Sequence, residues 1–152
     1  MKYALDTNIF IGGFRDEEAQ AEILAFLNRA LPFTYLSAVV MQELTAGART
    51  AEAARELQQA VFEPFERRRR VFAPSAAAFV NSGRVLAGVA AKEGWQVLHD
   101  NPSLVNDALI AASCRELGIT LITKDQDFER IAPFLKGLRH IEPWPASPRA
   151  NG

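Results

Sequence analysis

Apolar residues recur along the chain at two different spacings, and the switch between them is the first sign of architecture. Tyr3-Ala4-Leu5 is a short apolar run that stops at Asp6-Thr7-Asn8, as a strand running into a turn does. From Asp16 to Ala30 the spacing becomes helical. Ala19, Ile23, Phe26, Leu27 and Ala30 share one face, and Pro32 closes the segment. Phe33 to Leu36 reads as a strand, and Ser37 is placed to cap a helix with Val39, Val40, Glu43 and Leu44 on one side. Gly47 weakens that helix before a second helical stretch, Ala51 to Phe65. Arg70 to Ala73 is a candidate strand closed by Pro74. Ser75 then caps a long helix that runs to Glu93, with Gly94 as its stop.

The second half follows the same scheme. His99-Asp100-Asn101-Pro102 reads as a turn and helix start. The helix beyond it ends near Gly118, and Leu104, Val105, Ala108, Leu109, Ala112 and Leu117 form its predicted buried stripe. Ile119 to Thr123 is the clearest strand, nearly all apolar or β-branched, which suits a central strand covered on both faces. A short helix from Asp127 to Ile131 and an edge strand from Leu138 to Ile141 complete the pattern. Pro143, Pro145 and Pro148 mark a tail whose end is expected to be disordered. Strands separated by helices predict parallel βαβ units. The expected fold is a three-layer α/β/α sandwich with a mainly parallel sheet of about five strands.

Composition agrees with one packed domain. The chain has 152 residues, of which 49% are apolar and 23% charged, enough for a core and against a disordered chain. The net charge is -1, so nucleic-acid binding would rest on local charge and not on bulk attraction. No apolar run approaches the roughly 20 residues that cross a bilayer, and no membrane partner is expected. The N-terminus has an acid at Asp6 and no secretion signal, so the expected location is cytoplasmic. The single cysteine, Cys114, excludes an internal disulfide and reads as a small buried filler. His99 and His140 are too few and too scattered for a histidine-based metal site.

The acids are more informative. Asp6 closes the first strand, and Asp125 lies just beyond the strand ending at Thr123. Open parallel sheets bind ligands outside the carboxyl ends of their strands. Glu43 and Asp107 lie inside helices beside the apolar stripe, with no basic residue within a turn to pair them. A shared divalent cation is a suitable partner, and hard oxygen ligands select Mg²⁺ or Mn²⁺. Any one of these acids alone reads first as a turn cap or a surface residue. The force lies in four compatible positions.

Four segments resemble one family. Leu5-Asp6-Thr7-Asn8-Ile9-Phe10-Ile11 is similar to the opening motif of PIN domains. Ser37-Ala38-Val39-Val40-Met41-Gln42-Glu43-Leu44 resembles their second motif, with its glutamate. Asn106-Asp107-Ala108-Leu109-Ile110-Ala111-Ala112 resembles the third, and Thr123-Lys124-Asp125-Gln126-Asp127-Phe128 the fourth. The resemblance spans residues 2 to 141 in family order, and the size resembles the VapC-type toxins of bacterial toxin–antitoxin pairs. It implies a nuclease domain over residues 1–142 followed by a Pro-rich tail, 143–152. It also implies an endoribonuclease that uses Mg²⁺ or Mn²⁺ held by Asp6, Glu43, Asp107 and Asp125, with a cognate antitoxin and an RNA substrate. A homodimer is expected from the resemblance and from helices rich in apolar residues.

Supporting roles are open to several neighbours. Thr123 has a hydroxyl suited to orienting a water or a ligand carboxylate, and Asn8 is placed to bond Asp6 or its loop. Asp125 fits the fourth acid, while Asp127 is expected to cap the short helix. Arg15 and Lys124 are candidates for RNA phosphates and equally ordinary surface charges. Arg67 to Arg70 reads first as a solvated helix end. Trp95 and Trp144 are expected to pack. Three alternatives compete. A haloacid-dehalogenase-type phosphoryl transferase wants an aspartate where Asn8 stands. A receiver-like Mg²⁺-binding signalling module needs its phosphoacceptor after the third strand, where Ala73-Pro74-Ser75 stands. A catalytically inactive PIN-like interaction module would not need all four acids.

Overall fold

A computed structural model describes residues 1–145. Its strands are β1 (Lys2–Leu5), β2 (Thr34–Ser37), β3 (Val71–Phe72), β4 (Ile119–Ile122) and β5 (His140–Ile141). They form one sheet in the order β3-β2-β1-β4-β5, with every pair parallel. The helices are α1 (Thr7–Arg15), α2 (Glu17–Ala30), α3 (Ala38–Gly47), α4 (Ala51–Leu57), α5 (Glu63–Arg67), α6 (Ala76–Glu93), α7 (Gln96–Asp100), α8 (Ser103–Leu117) and α9 (Asp127–Ile131). The architecture is the expected three-layer α/β/α sandwich.

The sheet order creates the one place where function can gather. From β1 the chain moves to β2 on one side, and much later returns to β4 on the other side of β1. The strand order therefore reverses between β1 and β4, and a crevice opens outside their carboxyl ends. The register is Lys2 to Ile119 through Leu5 to Ile122. Asp6 and Thr123, each one residue past its strand, are thus brought side by side.

Local signals set most boundaries. Asp16, Ser37, Thr50 and Ser75 cap α2, α3, α4 and α6 by accepting backbone N–H bonds, and Gly94 and Gly118 end α6 and α8 with positive φ. The helical stretch beginning at Ala51 continues through a π-helical turn, Gln58–Phe62, into α5. Four expectations are corrected. The stop at Asp6-Thr7-Asn8 is the start of α1, a helix hidden by Gly12 and Gly13 and made amphipathic by Ile9 and Phe10. His99 lies in the short helix α7, not in a turn. Val105 and Leu117 are 49% and 40% exposed, because α8 instead buries a continuous run from Asp107 to Cys114. Trp95 is exposed, whereas Trp144 stacks on Phe26 and donates its Nε1 proton to Glu22. The expected disorder at the end of the tail lies outside the described residues.

One close approach on α6 depends on a glycine. A Cβ on Gly88 of α6 would stand 2.5 Å from the Phe134 ring, which follows α9. The bare backbone of α6 is what lets this segment close on it. Gly83, one and a half turns earlier, faces open space. Gly88→Ala is expected to destabilise the fold by about 1–3 kcal/mol through overpacking. Gly83→Ala should stabilise it by about 0.5–1 kcal/mol through helix propensity. Urea denaturation of the two variants checks both signs.

Candidate metal centre

The carboxylates of the rim are delivered by five different pieces of local structure. Asp6 follows β1 and is the N-cap of α1. It is 3% exposed, its Oδ1 accepts from Thr7 N at 2.8 Å and its Oδ2 accepts from Thr123 Oγ1 at 2.7 Å. Glu43, half-buried on α3, accepts from Thr7 Oγ1 at 2.8 Å. Asp107 lies in the second turn of α8, 6% exposed, and its Oδ2 has no hydrogen-bond partner. Asp125 Oδ1 accepts from Asp127 N at 2.9 Å, and Asp125 N is held by Thr123 Oγ1 at 2.9 Å. Asp127 opens α9, and its Oδ1 accepts from Arg130 Nη1 at 3.0 Å.

Three of these groups are poised to share an ion: Asp107, Asp125 and Asp127 each offer an oxygen, and the three oxygens lie within 4.8 Å of one another. Asp6 and Glu43 complete the acidic rim. An orphaned buried carboxylate oxygen beside two further carboxylates, with only oxygen donors, fits a hard divalent cation. Hydrogen bonds use one lone pair on each oxygen of Asp6 and on one oxygen of Glu43, so these groups keep acceptor capacity.

Electrostatics show what this crowding costs the metal-free protein. Burial pushes the Asp107 carboxyl up to about 8, and the charges of Asp6, Asp125, Glu43 and Asp127 push the same way. Burial also raises Asp6, to about 6, against the lowering effect of its bonds from Thr123 and Thr7; Asp125 and Glu43 add to the rise. A buried acid with no counter-cation is a group held for a partner from outside.

The structure brings together Asp6, Glu43, Asp107, Asp125 and Thr123 as the sequence suggested. It revises the roles of others. Asp127 does not cap α9; it is the helix's first residue, and its carboxylate turns to Arg130 and the rim. Asn8 does not bond Asp6: it lies in the first turn of α1 and its Oδ1 has no partner. Arg15 and Lys124 are exposed, the first at the end of α1 and the second just beyond Thr123. The arginine run spends itself locally: Arg67 pairs with Glu63, Arg68 donates to Pro64 O and Arg70 lies over the Tyr35 ring. Thr7 and Arg130 were not singled out from sequence. The adjacency of Thr7 to Asp6 and the i,i+3 spacing of Asp127 and Arg130 were the available signals.

Comparison with known proteins follows the same lines. The family profile of the PIN domain matches residues 3–133. A chain of the DNA-bound VapBC structure from Salmonella typhimurium is 25% identical, with a TM-score of 0.69 over 93% of this chain and 98% of that one. A chain of VapBC-1 from nontypeable Haemophilus influenzae is also 25% identical, with a TM-score of 0.62 over 93% and 98%. A chain of VapBC2 from Rickettsia felis, bound to a promoter DNA fragment, shares the fold at 19% identity and a TM-score of 0.61, over 95% and 100%. No curated protein matches the chain.

The raised acids make a signed prediction. In the folded metal-free protein Asp6 and Asp107 titrate at about 6 and about 8, against 3.8 for the free side chain. Between those values the folded state holds protons that the unfolded chain has released, so stability falls as pH rises. In EDTA, unfolding free energy should decline by up to roughly 1.4 kcal/mol per pH unit per group between pH of about 4 and about 8. Asp107→Asn should flatten the upper half of that decline and be at least as stable as wild type at pH 8. Urea titrations across pH measure this, and a variant much less stable in EDTA would contradict it.

Proposed function

The chain belongs to the PIN domain family, and on that premise we propose that it is a Mg²⁺- or Mn²⁺-dependent endoribonuclease acting as the toxin of a toxin–antitoxin pair. The observation that carries the reading is the convergence of five carboxylates at the β1/β4 crevice, with Asp107 buried and one of its oxygens unpaired. The VapBC neighbours support the toxin assignment.

In this reading Asp107, Asp125 and Asp127 hold the ion, and Asp6 and Glu43 set the charge of the rim and accept further ligand or water contacts. A divalent ion bound there acidifies water and polarises a phosphodiester, the two demands of RNA hydrolysis. Thr123 fixes Asp6 and the backbone of Asp125 with one hydroxyl, and Thr7 fixes Glu43, so the carboxylates are oriented before substrate arrives. Lys124 and Arg15, both exposed, are the candidates to meet RNA phosphates in this reading. No histidine is required as base, and His99 and His140 stand elsewhere, on α7 and at the start of β5.

An antitoxin segment has a suitable seat. A groove of about 630 Å³ runs between α1, α3 and α4, with Ile11, Phe14, Leu44, Leu57 and Val61 on its walls and Glu43 among its lining residues. A helical or extended segment would lay apolar side chains there and offer an arginine to the acids. A homodimer is part of the same proposal, supported by Phe79 and Val80, which stand exposed on α6. Among the described residues no helix is long and apolar enough to cross a membrane.

Three measurements test this. Structured RNA should be cleaved with Mg²⁺ or Mn²⁺ and left intact in EDTA; cleavage undiminished by EDTA would refute metal dependence. Asp107→Asn should lower kcat/KM by about 100-fold or more, the upper end of what even an indirect ligand contact is worth. Light scattering at tens of micromolar should give a dimer.

A further inference from the structure

Among the described residues, Arg130 on α9 is the one cation hydrogen-bonded to a candidate ligand of the metal centre. Its Nη1 donates to Asp127 Oδ1 at 3.0 Å. From its other edge Nε and Nη2 donate to Glu93 Oε2 and Oε1 at 3.1 and 3.0 Å. This is a bidentate fork, the geometry in which an arginine is held in one orientation rather than merely neutralised. Glu93 is the last residue of α6, where a carboxylate meets the negative end of the helix dipole. Nothing in the helix favours an acid there; the guanidinium does. The close approach at Gly88 and Phe134 seats α6 against the segment after α9, and so fixes the distance that the fork spans.

A cation beside an acidic cluster acts on ion binding in two ways of opposite sign. As a charge it repels the incoming ion and competes for Asp127. As an orienting group it holds Asp127 in a single rotamer and strengthens binding. The contacts favour the second. Arg130 takes only Oδ1, leaving Asp127 Oδ2 without a hydrogen bond among the described residues. The grip of Glu93 holds the guanidinium back from the centre, where it would compete with an ion for the carboxylates. We propose that Glu93 and Arg130 form a latch between α6 and α9 that turns Asp127 toward Asp107 and Asp125, making Arg130 a positioning residue for ion binding and Asp127 a ligand. The proposal rests on the metal-centre reading above and divides the labour of the fourth motif. Asp127 is oriented by a side chain from behind, and Asp125 by the backbone turn in front.

Isothermal titration with Mn²⁺ tests the latch without any activity assay, with melting temperatures in EDTA recorded alongside. Arg130→Gln and Arg130→Lys should both weaken Mn²⁺ binding by about 10-fold or more, since lysine keeps the charge but cannot fork. Glu93→Gln, a near-isosteric change at a half-exposed pair, should weaken it several-fold with the fold intact. In an Asp127→Asn background, Arg130→Lys should cause no further loss, because its effect passes through Asp127. Unchanged or tighter binding in Arg130→Gln, wild-type affinity in Arg130→Lys, or additive losses in the double variant would each overturn the latch while leaving the metal centre standing. Failure of the wild-type protein to bind Mn²⁺ would overturn both.

Discussion

Leu5 faces Ile122 across two adjacent parallel strands, and that register governs the chemistry of the molecule. It places Asp6 beside Thr123, so that one hydroxyl donates to a carboxylate from the first strand and accepts from the backbone that carries Asp125. Slipping the pairing by one residue would turn every side chain of β4 to the opposite face. Leu121 and Ile122 would exchange the two buried layers they fill, and the rim would lose its hinge. The order β3-β2-β1-β4-β5 then does the rest, because it leaves the crevice open at that point and nowhere else along the sheet.

Around this point the fold accepts a local cost. α8 is buried along most of its length, yet it carries Asp107 into the same water-poor space as Asp6. Like charges at short range in a medium of low polarisability raise one another's pKa and oppose folding. Sites that are less stable than their surroundings permit are where proteins keep their function, and the large apolar core of this domain supports the deficit. The hydrogen bonds from Thr7 and Thr123 reduce that deficit without cancelling the charge, which would cancel the affinity for a cation.

Around the rim, different kinds of contact address different acids. Backbone and hydroxyl donors orient Asp6, Glu43 and Asp125, all neutral groups that add no charge to the cluster. Among the described residues, Asp127 is the rim acid met by a full cation, and that cation is restrained by Glu93 from a helix outside the rim. The groove beside Glu43 shares no lining residue with the cleft at Glu93, Asp127 and Arg130.

Much of this was legible in the residues. The βαβ alternation, the caps at Ser37 and Ser75, the strand Ile119–Ile122 and the position of Asp6 and Asp125 at strand ends follow from local periodicity and turn chemistry, which act over a few neighbours. The helix α1 was not, because two glycines at its centre lower helix propensity and only packing on α2 and α3 restores it. Exposure of Val105, Leu117 and Trp95 was not legible either, since an apolar residue does not state which neighbour will cover it. The sequence by itself determined which acids exist, on which kinds of element they ride, and that neither Glu43 nor Asp107 has a basic residue within a turn along the chain. Only the tertiary structure decided that Asp127 stands with Asp107 and Asp125 while Arg130 and Glu93 stand behind it. Their association spans α6, α8 and α9, and a contact between segments far apart in the chain depends on how helices close over a sheet, a property that no local pattern contains.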